Sequence, residues 1–298
     1  MDIGLVGLGK MGYNLALNMI EKGHRVVAYS RSNSKAEALK ADGLKATADP
    51  AYLAGSLGKK KVIWLMVPAG EPVNQMIELF KPHLSGGDII IDGGNSHYRD
   101  SIRRSEMLKE QGIDYVDAGI SGGPEGARRS PCMMIGSSTE TYSYLEALFI
   151  DLCTEDGCLR VGGAGAGHFV KMVHNGIEYG MMQAIAEGFE LLEQGPYEID
   201  YPALSGLWNT GSVIRSWLVE LTGQLFSENP GLANIGPVIG SSGTGLWAVE
   251  EALQQKIPLP VITSALYTRY RSEQENSFSA RLVAGLRYQF GGHEVEKP

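Results

Sequence analysis

One segment near the middle of the chain carries ionisable and hydrogen-bonding side chains at helical spacing. Lys171, His174, Asn175 and Glu178 fall on one face of a helix, where a lysine can serve as a base and a glutamic acid as an acid. Gly176 lies inside this helix, where glycine costs about 1 kcal/mol relative to alanine but lets another group approach closely. The pattern predicts an acid–base site that requires a buried lysine. The alternative is an exposed polar stripe with a Lys/Glu pair.

A glycine-rich segment at the N-terminus is the second candidate site. The apolar run Asp2–Val6 predicts a strand, Gly7–Gly12 has the spacing G-x-G-x-x-G, and an amphipathic helix is predicted from Asn14 to Lys22, closed by Gly23. Glycine lets the backbone turn sharply and approach a pyrophosphate at the helix N-terminus. Strand, motif and helix together therefore predict a dinucleotide site, the alternative being a glycine turn without a ligand.

The end of the second predicted strand, Arg25–Tyr29, indicates which dinucleotide binds. NAD enzymes usually place a carboxylate there, about twenty residues beyond the glycines, whereas this chain has Ser30, Arg31 and Ser32. These side chains can hydrogen-bond and pair with a 2′-phosphate that a carboxylate would repel. The sequence favours NADP, with NAD possible, and Arg31 as a solvated surface charge is the alternative.

Further apolar segments alternate with helix-like segments, which predicts a doubly wound α/β sheet of the Rossmann type. In such sheets ligands bind beyond the carboxyl ends of the strands. Loops rich in glycine follow three of those ends and expose backbone N–H groups, although such loops also occur merely as turns. The predicted ligand contacts of these loops are Val67, Pro68 and Ala69, then Asn95, then Ser121, Gly122 and Gly123. The predicted cofactor contacts are Gly7, Gly9, Lys10, Met11, Gly12, Ser30, Arg31, Ser32, Val67, Pro68, Ala69 and Asn95.

A glycine-rich run, Gly162–Gly167, is too flexible to sit inside a strand or helix and predicts a domain junction. A long helix is predicted from His168 to about Gln194, because this stretch contains no proline and few helix breakers. We therefore expect a dinucleotide-binding Rossmann domain over residues 1–165. An all-α domain for substrate binding and oligomerisation, with a C-terminal tail, is expected over residues 166–298.

Composition limits the possible partners. The 298 residues include 26 basic and 34 acidic side chains, so the net charge is 26 − 34 = −8, which argues against nucleic-acid and anionic-membrane binding. No apolar run approaches the roughly 18 residues of a membrane span, so a cytoplasmic protein is expected. No cluster of Asp residues has metal-ligand spacing, so no metal is expected. We interpret the cysteines as reduced thiols: Cys132, Cys153 and Cys158. We interpret four histidines as structural or solvated: His24, His83, His97 and His168.

The two candidate sites belong to a larger set of motifs. The other members are Ile91–Ser96, Ser121–Gly123 and the tail Arg287–His293. Along essentially the whole chain this set resembles the 6-phosphogluconate dehydrogenases. Relatives in the broader β-hydroxyacid dehydrogenase group usually lack the continuation from His174 to Tyr179. At 298 residues the chain resembles the short form of the enzyme, with a reduced helical domain.

This resemblance implies oxidative decarboxylation of 6-phosphogluconate to ribulose 5-phosphate and carbon dioxide, in the pentose phosphate pathway. It implies that Lys171 is the general base and acid, and that Glu178 protonates the enediol. In this family the tail reaches into the partner subunit, which implies a homodimer or homotetramer. The implied sugar-acid contacts are Asn95, Ser121, Gly122, Gly123, His174 and Asn175. The implied phosphate contacts are Tyr179, Arg269 and Arg287, with His293 closing the site.

Two departures from the family pattern bear on the substrate. Ser242 and Leu246 stand where long-form members often carry lysines, which leaves an unphosphorylated or differently sized sugar acid open as substrate. Arg269 and Arg287 could still clamp a phosphate, or could be surface arginines with local glutamate partners. Two other functions are a β-hydroxyacid dehydrogenase acting on a small acid without decarboxylation, and a nucleotide-sensing protein that no longer turns over substrate.

Overall fold

The computed structural model describes residues 1–31, 44–241 and 243–296. The predicted ligand Ser32 and the departure at Ser242 therefore lie outside the described residues. The chain divides into two compact units, Met1–Asn175 and Gly176–Pro298. The predicted domain boundary between residues 165 and 166 stays a prediction.

An eight-stranded sheet organises the first unit, with strand order β3-β2-β1-β4-β5-β6-β7-β8. The strands from β1 to β6 are parallel, β7 is antiparallel to β6, and β8 is parallel to β7. Nearly all strand residues are apolar rather than alternating, because helices cover both faces of such a sheet. The strands are β1 (Asp2–Val6), β2 (Arg25–Tyr29), β3 (Lys45–Thr47), β4 (Val62–Leu65), β5 (Ile89–Asp92), β6 (Asp114–Ser121), β7 (Cys132–Gly136) and β8 (Cys158–Gly162).

Helices connect these strands, and local signals fix several of their ends. Asp49 and Ser138 accept N–H bonds at the N-termini of the second and sixth helices, and Pro50 occupies a first helical position where its missing N–H costs nothing. The helices are α1 (Lys10–Glu21), α2 (Pro50–Ser56), α3 (Glu71–Phe80), α4 (Tyr98–Lys109), α5 (Gly123–Arg129) and α6 (Thr139–Leu152), with a 3₁₀ turn at Lys81–His83.

The core of this unit consists of one buried apolar cluster on each side of the sheet. On one side the indole of Trp64 meets Phe149 edge to face, with ring centroids 5.9 Å apart. On the other side Tyr29 meets Phe80 in the same way at 5.3 Å. Because adjacent strand residues point to opposite faces, a single apolar strand serves both clusters. The prediction of a Rossmann-type sheet is confirmed.

The structure corrects the sequence prediction in three respects. Helix α1 begins at Lys10 rather than Asn14, because the last glycine of the motif packs inside the first helical turn. Two strands, β3 and β8, were not predicted, being short or only partly buried. The run Gly162–Gly167 was predicted to lie outside regular structure, yet Gly162 ends β8 and Gly167 lies in a helix. A Cβ on Gly167 would lie 2.5 Å from the carbonyl oxygen of Met134, so glycine permits close packing there.

The predicted long helix is confirmed as α7 (Ala166–Glu193). From residue 176 onward the structure is helical, as predicted for the second half of the chain. The following helices are α8 (Tyr201–Gly211), α9 (Trp217–Glu228), α10 (Thr244–Gln255), α11 (Pro260–Ser272) and α12 (Phe278–Gly291), with a 3₁₀ turn at Pro230–Leu232. Among the described residues, no helix is both long and apolar enough to span a membrane.

Candidate active site

A buried carboxylate fixes the start of the helix that carries the predicted acid–base residues. Asp117 lies in β6 with no exposed surface, and its two oxygens accept N–H bonds from Gly165 at 2.6 Å and His168 at 2.8 Å. Burial raises the pKa of Asp117, whereas the backbone N–H donors of His168 and Gly165 act in the opposite direction. A carboxylate that accepts the free N–H groups of a helix N-terminus also opposes the helix dipole favourably. Asp117 thereby holds α7 on the sheet.

Two residues further along β6, Gly119 determines how closely α7 approaches. A Cβ at Gly119 would lie 2.5 Å from Cβ of Lys171 and 2.8 Å from the carbonyl oxygen of Gly167. Only glycine leaves space for this packing. The aliphatic part of Lys171 is therefore pressed against the strand, and the residue is 8% exposed. The burial that the predicted chemistry requires of this lysine is present.

A polar network lies beside Lys171. The imidazole Nε2 of His174 lies 3.2 Å from Oγ of Ser121, the last residue of β6. Its Nδ1 lies 3.4 Å from Nζ of Lys171 and 3.2 Å from Oδ1 of Asn175. Because Asp117, Gly119 and Ser121 alternate along one face of β6, they meet successive turns of α7. The structure thus brings together four of the predicted site residues.

A second buried carboxylate, that of Asp92, fixes the loop that carries Asn95. Asp92 accepts hydrogen bonds from Ser96 Oγ at 2.8 Å, the Tyr115 hydroxyl at 2.9 Å and Arg104 Nη1 at 3.3 Å. Burial, followed by the Asp92 carboxylate, raises the pKa of Tyr115 well above its ordinary value. Asn95 itself is exposed at the tip of this loop. Its side chain is available to a ligand while the backbone beneath it is fixed.

The glycine motif forms a backbone cradle at the start of α1. Gly7 has φ +96°, which side-chain-bearing residues rarely adopt, and a Cβ on Gly12 would collide with the carbonyl oxygen of Gly7. Gly9 is the N-terminal cap of α1 and contributes no side-chain hydrogen bond, so N–H groups of the first turn remain for an anion. These residues fit the pyrophosphate of a dinucleotide. Lys10 and Met11 lie in the first turn of α1.

The other predicted cofactor contacts follow β2 and β4, and they differ in burial. Ser30 is buried and donates its N–H to Thr47, whereas Arg31 is exposed. The loop of Val67, Pro68 and Ala69 follows β4, and a Cβ on Gly94 would lie 2.8 Å from the carbonyl oxygen of Val67. The two loops are therefore neighbours, as expected for adjacent parallel strands.

In the second unit the structure brings Tyr179 and Arg269 together. The guanidinium of Arg269 lies over the Tyr179 ring, 3.6 Å from its centroid, and Nη1 donates to the carbonyl oxygen of Gly240 at 2.8 Å. Gly245 makes room for the ring, since a Cβ there would lie 2.7 Å from Cδ2 of Tyr179. The prediction that Gly176 permits a close approach is confirmed, because a Cβ there would lie 3.2 Å from Cδ1 of Ile262.

Three other predicted residues are placed as follows. Glu178 lies half-buried on α7, seven residues after Lys171. Arg287 is exposed and lines a groove between α11 and α12 together with Tyr267, Tyr270 and Arg271, rather than joining the stack of Arg269. His293 is exposed beside Phe290, with ring centroids 6.3 Å apart. Gly122 and Gly123 both have positive φ and begin α5 directly after Ser121.

Several residues that build the site were not predicted. These residues have polar side chains that are almost completely buried, and most of their hydrogen-bond partners are distant in the sequence. The only available signal was a charged or polar residue beside an apolar strand or at the start of a helix. These residues are Asp92, Ser101, Arg104, Asp117 and His168.

The fold and the site together define a dehydrogenase that uses a nicotinamide dinucleotide, with a glycine cradle on a Rossmann-type sheet and a buried lysine on the following helix. Residues 2–162 match the NAD binding domain of 6-phosphogluconate dehydrogenase. Residues 167–296 match the 6-phosphogluconate dehydrogenase C-terminal domain. The chain belongs to the 6-phosphogluconate dehydrogenase family, and the resemblance noted in the sequence is confirmed.

Individual relatives agree with this assignment. The Bacillus subtilis protein YqeC, which carries the family's name, is 47% identical over the full length of both chains. The NAD(+)-dependent, decarboxylating 6-phosphogluconate dehydrogenase of Haloferax volcanii is 42% identical, over 100% of this chain and 99% of that protein. The Plasmodium falciparum 6-phosphogluconate dehydrogenase structure, described with NADP+ and with 6-phosphogluconate, has a TM-score of 0.83 and 32% identity. The structural match covers 100% of this chain and 66% of that chain.

Proposed function

We propose that the protein oxidatively decarboxylates 6-phosphogluconate to ribulose 5-phosphate and carbon dioxide, reducing NADP or NAD. The observation that carries this proposal is the buried Lys171, linked through His174 to Ser121, on a helix that continues without a break to Glu178. A lysine inside such a network can exchange a proton with a substrate hydroxyl. A carboxyl group two turns further along the helix can supply a second proton.

In the oxidation step, neutral Lys171 removes the proton from the C3 hydroxyl of the substrate. The bound nicotinamide dinucleotide supplies the hydride acceptor. His174 and Asn175 form a network of polar side chains beside the amine of Lys171. These polar groups therefore need little reorganisation when the amine becomes charged. The product of this step is a β-keto acid with a ketone at C3, facing the ammonium group of Lys171.

In the decarboxylation step, the bond from C2 to the carboxylate breaks and its electron pair moves toward the C3 ketone. Protonated Lys171 donates its proton to the developing oxyanion, which gives an enediol and neutral lysine. Glu178 then protonates C2, while Lys171 takes the hydroxyl proton at C3 and the ketone of ribulose 5-phosphate forms. A proton transfer from Lys171 to Glu178 restores both groups for the next cycle.

Substrate binding is proposed for two sets of residues. At the sugar-acid end, the assignment is supported by the fixed backbone beneath the exposed Asn95 and by the half-buried Ser121 and His174. At the phosphate end, Arg269 is supported by its fixed orientation over Tyr179, because a guanidinium suits bidentate pairing with phosphate. The proposed sugar-acid contacts are Asn95, Ser121, Gly122, Gly123, His174 and Asn175. The proposed phosphate contacts are Tyr179, Arg269 and Arg287, with His293 closing the site.

NADP is proposed as the preferred cofactor. The exposed Arg31 directly follows the buried Ser30, and neither of these two described residues at the strand end is a carboxylate that would repel a 2′-phosphate. Comparing kcat/KM for NADP and NAD in the wild type and in Arg31→Ala tests this preference. The ratio should fall roughly tenfold in the variant, as expected for a lost charged hydrogen bond. An unchanged ratio would reject the role of Arg31.

A homodimer or homotetramer working in the cytoplasm, in the pentose phosphate pathway, is also proposed. The support is the exposure of large apolar side chains on the second unit, among them Val213 at 100% and Phe290 at 79%. Arg287 lies on the same helix as Phe290, and His293 lies beside Phe290, so a partner protomer that covers this helix could complete their site. Sedimentation analysis of the purified protein checks the oligomeric state, and a monomer at micromolar concentration would reject it.

The activity is tested by mixing the purified protein with 6-phosphogluconate, or in parallel with gluconate, and NADP or NAD. Reduced nicotinamide and released carbon dioxide are followed together, and equal yields from 6-phosphogluconate are expected. Reduced nicotinamide without carbon dioxide would instead identify a β-hydroxyacid dehydrogenase. Activity on gluconate alone would mean that the departures at Ser242 and Leu246 mark a different substrate.

A further inference from the structure

His168 lies at a junction of three segments of the first unit. It is 1% exposed and lies in the first turn of α7. Its backbone N–H donates to Asp117 of β6, as described above. Its ring Nδ1 lies 2.7 Å from Oγ of Ser101 in α4, and its ring Nε2 lies 3.1 Å from the carbonyl oxygen of Gly94. One residue therefore ties α7 to β6, to α4 and to the loop of Asn95.

The partners determine which tautomer the neutral ring adopts. A carbonyl oxygen only accepts, so Nε2 carries the hydrogen that reaches Gly94. Nδ1 is then the acceptor, and the Ser101 hydroxyl donates to it. The neutral ring with hydrogen on Nε2 satisfies both contacts inside a space that excludes water. A bond of this kind sets ring orientation as well as distance.

The position of His168 connects the two parts of the proposed site. Gly94 immediately precedes Asn95, and Lys171 follows His168 by one helical turn. We propose that His168 is a positioning residue whose Nε2–H bond to Gly94 fixes Asn95 relative to Lys171. This inference rests on the function proposed above, because it assigns importance to the spacing between those two side chains.

Two substitutions separate the two ring nitrogens. The side-chain amide of His168→Gln reaches the place of Nε2 and can still donate to Gly94, whereas that of His168→Asn reaches only the place of Nδ1. The Gln variant is expected to keep at least half of the wild-type kcat/KM for 6-phosphogluconate. The Asn variant is expected to lose roughly tenfold, mostly in kcat, because Asn95 and Lys171 are misaligned. Each variant loses one ring contact, so a purely structural role would lower both alike.

The control pair is His83→Gln and His83→Asn, at a partly exposed histidine in the 3₁₀ turn remote in sequence from the site residues. Both control variants should retain wild-type kcat and KM. Equal losses in the two His168 variants, or a greater loss in the Gln variant, would overturn the proposal.

Cofactor binding distinguishes failure of this inference from failure of the proposed function. If the wild type does not turn over 6-phosphogluconate, the dissociation constant for NADP is compared instead, since Asn95 is also a proposed cofactor contact. It should rise several-fold in His168→Asn and stay unchanged in His168→Gln. Equal constants would overturn the positioning role independently of the reaction.

A measurement on the wild type keeps the inference testable if a variant fails to fold. Long-range ¹⁵N–¹H spectra of labelled histidine distinguish the two neutral tautomers of a ring. His168 should show hydrogen on Nε2. Hydrogen on Nδ1 together with a bare Nε2 would be incompatible with donation to Gly94 and would overturn the proposal.

Discussion

The two units bury their large apolar side chains to very different extents. In the first unit the rings of Trp64, Phe80 and Phe149 are completely buried between sheet and helices. In the second, Phe278 and Phe290 on α12 are mostly exposed, and the buried apolar cluster around Tyr179 contains only three other residues. A sheet covered by helices on both sides closes its own core, whereas helices that pack mainly in pairs leave an apolar face uncovered.

This difference bears on how each unit can serve catalysis. Buried carboxylates in the first unit accept hydrogen bonds from several segments, so the lysine proposed as the base rests on a rigid support. The second unit carries Tyr179 and Arg269 on helices whose outer faces are apolar. We expect mutations in the first unit to affect chemistry and folding, and mutations in the second unit, apart from those of Glu178, to affect substrate affinity and assembly.

The largest effect is expected for Lys171→Met. Removing the base should lower kcat by about 10³-fold, because the same amine serves oxidation and decarboxylation. Glu178→Gln, in the second unit, should lower kcat by about 10²-fold, since it affects only the protonation of carbon. Steady-state kinetics measure both, with Lys59→Met at an exposed lysine as the control. Near-normal turnover in either variant would contradict its assigned role.

The next largest effect is expected on the free energy of unfolding, when a buried phenylalanine of the first unit is compared with an exposed phenylalanine of the second. Phe149→Ala should reduce the free energy of unfolding by about 3–5 kcal/mol, because it leaves a cavity beside Trp64 and Tyr142. Phe290→Ala removes an exposed ring and should change the stability of the protomer by less than about 1 kcal/mol. Urea unfolding at low protein concentration measures both. Similar losses would mean that the two units do not differ as described.

A smaller effect is expected for Arg269→Ala in the second unit. The KM for 6-phosphogluconate should rise roughly tenfold or more, because a charged hydrogen bond to phosphate is lost, with little change in kcat. Arg215→Ala, at an exposed arginine of the same unit, is the control. If Arg215→Ala raised KM as much as Arg269→Ala, the stack on Tyr179 would not define the phosphate site.

The smallest effect concerns the thiols of the first unit. Burial raises the pKa of Cys153 to about 12, so at pH 8 only about one thiol in 10⁴ is ionised. Raising the pH toward 12 should increase its thiolate fraction, as long as the protein stays folded. A disulfide reagent at pH 8 should label the exposed Cys132 first, and Cys132→Ser should remove this fast phase. Labelling of Cys153 at the same rate would show that the core of this unit opens readily.

Much of the fold followed from local patterns. The glycine motif, the apolar strands and the long helix each depend on residues close together in sequence, and all three were correctly predicted. Errors arose where distant residues decided the outcome. Helix α1 begins before Asn14 because Gly12 packs on Gly7, and β8 forms at the edge of the sheet only because β7 pairs with it.

The sequence by itself determined the family, the dinucleotide cradle and the spacing of Lys171 and Glu178, because helical and strand periodicities are properties of a short stretch of chain. Only the tertiary structure decided that Lys171 is buried against Gly119, that Asp117 holds the start of its helix, and that His168 reaches Gly94. These contacts join residues far apart in the chain. Their hydrogen bonds and packing depend on the approach of strand and helix, which no local pattern encodes.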